Sequence, residues 1–141
     1  MFKIMLLLHV IGAAGMGFYL ILPALVGKVT KLTGAGQEGL AAGLSSANRI
    51  AQYFLIVQLL TGGYLMSQSD YSVAWMIIAT VGFLAIAALG GIASKPLKLI
   101  GTSIRDGQSA AAHIGKARTL SFIILIIYVV ILYFMVNPIY K

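Results

Sequence analysis

Four long apolar runs, Ile4–Val26, Ile50–Met66, Val73–Ile92 and Leu120–Val136, dominate the chain. With their flanks they define spans of about 4–26, 49–67, 73–94 and 119–137. Each is long enough, as a helix with modest tilt, to cross about 30 Å of hydrocarbon. Only 9% of the residues are charged, whereas a soluble domain carries roughly a quarter. The chain therefore has too few charges for a water-facing surface. The expected fold is all-α: a membrane domain, residues 1–141, built as a four-transmembrane-helix up-down bundle. The first run follows Lys3, but it is too long for a signal-peptide core and Gly27-Lys28 is no small-residue cleavage site, so it is read as a span.

The cations set the expected orientation. Lys28, Lys31 and Arg49 flank the first connection, and Lys95, Lys98, Arg105, Lys116 and Arg118 crowd the third. The second connection holds Asp70 and no cation. The positive-inside bias then makes the first and third connections cytoplasmic and both termini extracytoplasmic, in a multi-pass protein of the cell membrane. The formal charge of +7 is read as this topology signal and as an attraction to anionic lipid, not as a nucleic-acid footprint.

Several local features carry further expectations. Tyr71, Trp75, Tyr133 and Tyr140 fall near the outer ends of their spans, at headgroup level. Pro23 is expected to kink the inner end of the first helix. Leu97, Ile100 and Ile104, following Ser94 and Pro96, suggest a short amphipathic helix on the inner surface. Thr33–Gly39 reads as a flexible turn without a phosphate-loop pattern. Ala87, Gly91 and Ser94 on the third span, and Ala13 with Gly17 on the first, are candidate close-packing faces.

The two halves resemble each other. Lys28-Val-Thr-Lys31-Leu32-Thr-Gly34 reappears as Lys95-Pro-Leu-Lys98-Leu99-Ile-Gly101, and the same displacement carries Gly15 onto Gly82 and His9 onto Met76. This suggests a tandem repeat of two helix hairpins about an axis along the membrane normal.

His9 is the leading site candidate. It lies about one and a half turns inside its span, where a polar side chain faces the bundle interior and finds a partner. One reading is a packing histidine bonded to Thr61, Gln58 or Tyr128. The other is a ligand, since neutral imidazole binds haem iron or copper well. Met5, His9 and Met16 share a helical face that suits Cu(I), while methionine is also ordinary apolar filler. His9 and Met76 stand at similar depths on diagonal helices and form an axial-pair candidate for haem b. His113 reads as a headgroup-level residue at the opposite end, and Gln52 and Gln58 as interhelical hydrogen-bonding groups.

Other chemistry is excluded. Glu38, Asp70 and Asp106 are the only acids and all lie in connections, so no proton relay of buried carboxylates is available. Cysteine is absent, which removes disulfides, thiolate sites and thiol catalysis. Neither histidine has a persuasive serine partner for nucleophilic catalysis.

Met5-Leu-Leu-Leu-His9-Val-Ile-Gly12-Ala13, followed by a glycine-containing half and Pro23, resembles the first helix of several small bacterial four-helix families. These are uncharacterised predicted integral membrane proteins, copper-resistance D-type membrane domains and haem-binding HemJ-type protoporphyrinogen oxidases. The resemblance covers mainly the first span and the four-helix layout. It implies copper passage in one case and haem ligation by the first-helix histidine, here His9, in the other. The chain departs from both in lacking Trp after Gly12-Ala13 and arginine just beyond the first run.

Three functions are therefore expected: a module holding haem b or a related redox group through His9, a Cu(I) or soft-metal permeation protein using Met5, His9 and Met16, or a non-catalytic scaffold. The lipid bilayer is the first partner, with a homo-oligomer or a membrane redox partner as further expectations. Whether the chain is an enzyme is left open.

Overall fold

The computed structural model describes residues 1–140. It contains five helices: α1 (Phe2–Met16), α2 (Phe18–Val29), α3 (Gly34–Ser67), α4 (Val73–Arg105) and α5 (Ala111–Val136). Because α1 and α2 form one interrupted rod, four helical segments are long and apolar enough to cross a membrane. Large apolar side chains cover their outer faces, among them Leu60 (69% exposed) and Ile126 (63%). A water-soluble monomer rarely exposes so continuous an apolar surface, whereas hydrocarbon solvates it.

The spans form a closed ring. The first lies against α3, α3 against α4, α4 against α5, and α5 returns to α2. Neighbouring spans run antiparallel, which gives an up-down bundle. Hydrogen bonds pair His9 with Thr61 and Tyr19 with Asn48, so α1 begins beside the end of α3. Ser72 N–H donates to Ile139 O, which ties the α3–α4 connection to the chain's end. Both termini thus share one end of the bundle, and the cationic connections occupy the other.

The first span breaks at Gly17 rather than at Pro23. Gly17 N–H turns from the Ala13 carbonyl to that of Ala14 at 3.1 Å, and Leu20 N–H bonds Gly17 O at 3.0 Å. This is a tight three-residue turn inserted into a four-residue ladder. Pro23 lies within α2, where its ring crowds the carbonyl four residues earlier and its nitrogen offers no donor. At Gly17 the tight turn leaves little room for a side chain, since a Cβ there would sit 2.9 Å from Ala14 O. Above the break α1 leans on α3, and below it α2 packs on α5 and α3.

The connections hold more helix than the sequence suggests. At about 1.5 Å per residue, α3 and α4 are roughly 50 Å long and overrun the hydrocarbon. No separate amphipathic helix follows Pro96, because α4 runs through it to Arg105. Nor is Thr33–Gly39 a turn throughout, since α3 starts at Gly34. The two overhangs pack together through Ala41, Leu44, Leu97 and Ile100, all buried in the common core. Exposed Arg105 donates to Glu38 at 2.9 Å across them, and that carboxylate holds the guanidinium pKa above its ordinary value. The matched lysine segments consequently differ in structure: Lys28–Gly34 covers a helix end and turn, while Lys95–Gly101 lies inside α4.

Close helix approach depends on particular glycines. A Cβ on Gly15 would enter the Phe54 ring of α3, and one on Gly90 would collide with Gln52 Nε2 and sit 2.6 Å from the Tyr19 hydroxyl. Gly91, by contrast, meets nothing within 4 Å. The packing register of α4 therefore passes through Gly90. Overpacking a tight contact costs about 1–3 kcal/mol, so Gly90→Ala should lower the melting temperature in mild detergent markedly. Gly91→Ala should leave it unchanged or raise it, because the substitution favours helix and meets no clash.

Candidate functional site

A cavity of about 430 Å³ opens in the half of the bundle nearest the termini. α1, α3, α4 and α5 all contribute to its wall, including His9, Gln58, Met66, Trp75, Phe83 and Tyr128. Its lining is predominantly apolar and, among the described residues, carries no Asp, Glu, Lys or Arg. The size suits a small organic molecule.

The break in the first span builds this site. At Gly17 the Ala13 carbonyl loses its helical donor, and the Tyr128 hydroxyl of α5 replaces it at 3.0 Å. Tyr128 also lines the cavity. That hydrogen bond closes the cavity's lower end, and above it α1 and α5 make no extended contact.

His9 carries two hydrogen bonds. Its Nδ1 lies 3.0 Å from Thr61 Oγ1, and its Nε2 lies 3.1 Å from Gln58 Nε2. The proton position follows from the neighbours. The one hydroxyl proton of Thr61 is directed to Val57 O at 2.7 Å, so Thr61 Oγ1 accepts from His9. The imidazole is then protonated on Nδ1, and Nε2 presents a lone pair that accepts from the Gln58 amide. Gly62 leaves room for the ring, because a Cβ there would meet His9 Cε1 at 3.1 Å. Gly12 does the same for the amide, since its Cβ would lie 2.5 Å from Gln58 Oε1.

One atom of this cluster is left over. Gln58 Oε1 is buried with no hydrogen-bond partner among the described residues. Such an orphan costs about 1–3 kcal/mol, and rotating the amide would set its oxygen against the His9 lone pair. His9 therefore sits in an arrangement with an oriented Nδ1–H, a basic Nε2 and a neighbouring amide that is incompletely satisfied. Chemically, Nε2 can accept a ligand's proton donor or bind a soft metal.

The other candidates are dispersed. Met5 is half-buried and Met16 fully buried, and neither lines the cavity. Met76 lies in a separate shallow groove with Val73, Ile77, Thr80 and Val81. The thioethers that share the cavity with His9 are Met66 and Met135. His113 is in the first turn of α5 at the cationic end. No group of three or more His, Cys, Asp or Glu side chains suited to a metal ion occurs among the described residues.

A second polar cluster lies deeper. Tyr19 donates to Asn48 Oδ1 at 3.1 Å, and Asn48 Nδ2 donates to Gly90 O at 3.0 Å and Ser94 Oγ at 3.1 Å. Gln52 Nε2 donates to the Tyr19 hydroxyl at 3.2 Å. Sequence reasoning singled out Gln52 as a hydrogen-bonding group and Ser94 as a packing residue, but missed Asn48 and Tyr19. The available signal was polarity within α3, where Asn48, Gln58 and Thr61 are buried and Gln52 is half-buried.

Comparison with protein-family models, curated proteins and solved structures finds no match to this chain.

The hydrogen-bond logic gives a direct expectation. Nitrogen chemical shifts of labelled protein should report His9 as the Nδ1–H tautomer. Thr61→Val keeps the side-chain shape but removes the acceptor, so it should destabilise the bundle by about 1–3 kcal/mol. Thr61→Ser should recover most of that loss in thermal unfolding.

Proposed function

We propose that this protein is a multi-pass cell-membrane protein that holds a lipophilic cofactor or redox group in the cavity, with His9 Nε2 as its polar anchor. One observation carries this reading: His9, its lone pair fixed on Nε2 by Thr61, lines a largely apolar cavity beside the unpaired Gln58 carbonyl. A neighbour that holds the other imidazole nitrogen is what a ligating or hydrogen-bonding histidine requires.

The orientation within this reading places the cationic end in the cytoplasm and both termini outside, supported by the cations of the first and third connections. The cavity then faces the outer leaflet. The likeness of Lys28–Gly34 to Lys95–Gly101 supports descent from a duplicated hairpin.

Haem b fits these residues only in part. His9 can serve as one axial ligand, and Met66 or Met135 rather than Met76 shares the cavity as a second. The propionates of haem find no cation among the described lining residues. A neutral group is the better match. Cu(I) finds a different donor set from the one read in the sequence, His9 with Met66 and Met135 in place of Met5 and Met16.

Protein purified in mild detergent should yield a lipophilic molecule on organic extraction, identified by mass spectrometry and lost in His9→Ala. A strong Soret band would restore haem, and stoichiometric copper would restore the metal reading. Parent and His9→Ala preparations with the same extract, spectrum and metal content would leave His9 a packing residue. Sidedness is read separately in this cysteine-free chain: Asp70→Cys should react with an impermeant thiol reagent in intact cells, while Gln37→Cys and Gln108→Cys should be protected. The reverse labelling would invert the orientation.

A further inference from the structure

We infer that the His9 cavity loads from within the bilayer, through the seam between α1 and α5, and takes a neutral lipophilic molecule with a hydroxyl head, such as a hydroquinone or a prenol. The inference rests on the proposed binding role of His9 and adds the route and the chemistry of the ligand.

The route follows from what closes each side. Toward water the cavity is sealed by an aromatic stack: Tyr71 lies on Trp75 with centroids 4.3 Å apart, and Tyr140 lies on Tyr71 at 5.3 Å. The end of the chain is strapped over this stack by a bridge between Tyr71 and Tyr140 and by Ser72 N–H to Ile139 O at 2.8 Å. Trp75 Nε1–H donates to Phe134 O at 2.8 Å and anchors the seal to α5. Toward lipid there is no comparable closure. α1 packs on α3, and above the Tyr128–Ala13 hydrogen bond it makes no extended contact with α5. Leu6 (43%) and Val10 (56%) are exposed on the outer surface and yet line the cavity, so they border the opening. Leu132 and Met135 form the opposite lip.

The ligand's chemistry follows from the lining. A charged molecule would meet no counter-ion among the described residues there and would leave water at great cost. His9 Nε2 needs a donor, and Gln58 Nε2 now fills that place at 3.1 Å. A ligand hydroxyl can donate to Nε2 while its oxygen accepts from the released Gln58 amide N–H, so one group pairs the imidazole lone pair and the amide donor. A carbonyl in that position would face the lone pair. Phe83 and Trp75 offer flat apolar surface for the remainder of the molecule.

Trp75 is the chain's sole tryptophan and lines the cavity, so its fluorescence reads occupancy without a label. The probes are decylubiquinol, its dimethyl ether and decylubiquinone, delivered anaerobically from donor vesicles to protein in phosphatidylcholine vesicles. Decylubiquinol should quench Trp75 saturably, the ether should bind at least about tenfold more weakly, as loss of the hydroxyl bond implies, and the quinone should fall between them. Val10→Phe, which narrows the opening, should slow loading several-fold. Truncation after Val136, which removes the strap, should leave the loading rate unchanged. If truncation accelerates loading and Val10→Phe has no effect, entry is from water and the lateral route is overturned, while binding at His9 stands. Equal affinity for the ether would overturn the hydroxyl requirement. Absence of saturable quenching by all three probes, identical in parent and His9→Ala, would overturn both the ligand class and the binding role beneath it.

Discussion

The bundle depends on one exchange of hydrogen bonds at Gly17. A continuous first helix would pair Gly17 N–H with the Ala13 carbonyl. Instead the donor moves one residue along to Ala14, and the Tyr128 hydroxyl takes its place at Ala13. In hydrocarbon no water can satisfy a freed carbonyl, so a break inside a span needs a side chain from a neighbour. Tyr128 therefore makes the break tolerable, and the break lets α1 depart from α5 while α2 remains against it. The cavity lies in the half of the bundle where α1 packs on α3 and not extensively on α5.

α3 is the common partner of these features. Its polar residues serve two clusters of different character, one around Asn48 and one around His9. The Asn48 cluster joins α2, α3 and α4, and both groups of its amide are paired. It fixes how these helices sit against one another, aided by the lack of a side chain at Gly90. Interhelical bonds of this kind contribute modestly in membranes, yet their geometry excludes alternative registers. The His9 cluster uses the same residue types but leaves Gln58 Oε1 without a donor. Two clusters on one helix thus differ in completeness, and the incomplete one borders the cavity.

The spans were legible because about 20 consecutive apolar residues have few other uses. Their overhangs were not, since Ala41, Leu44, Leu97 and Ile100 lie among charges and glycines that resemble connections until helices are seen to pack there. The break was expected at Pro23 because proline is the common cause of kinks, but the irregular hydrogen bonds fall at Gly17, while α2 runs through Pro23. Of the three partners read for His9 from depth and polarity, Thr61 and Gln58 bond it, whereas Tyr128 donates to Ala13 O instead. Which methionines would join it was not, because helical faces on different spans acquire a common cavity only once rotation and tilt are fixed. Met66 and Met135 meet there, whereas Met76 turns to a separate groove.

Packing alone accounts for part of the His9 arrangement. A histidine that bridges α1 to two residues of α3 would hold these helices together without any ligand. Yet the bridge is not fully paired, because Gln58 satisfies His9 Nε2 while its own buried carbonyl finds no donor. The glutamine also places a donor against His9 Nε2, where it occupies the imidazole's only lone pair in an otherwise largely apolar chamber. Under the proposed binding role, that amide would give way to a ligand hydroxyl as the donor to Nε2. The unpaired Gln58 carbonyl is the one feature of the arrangement that helix packing does not explain.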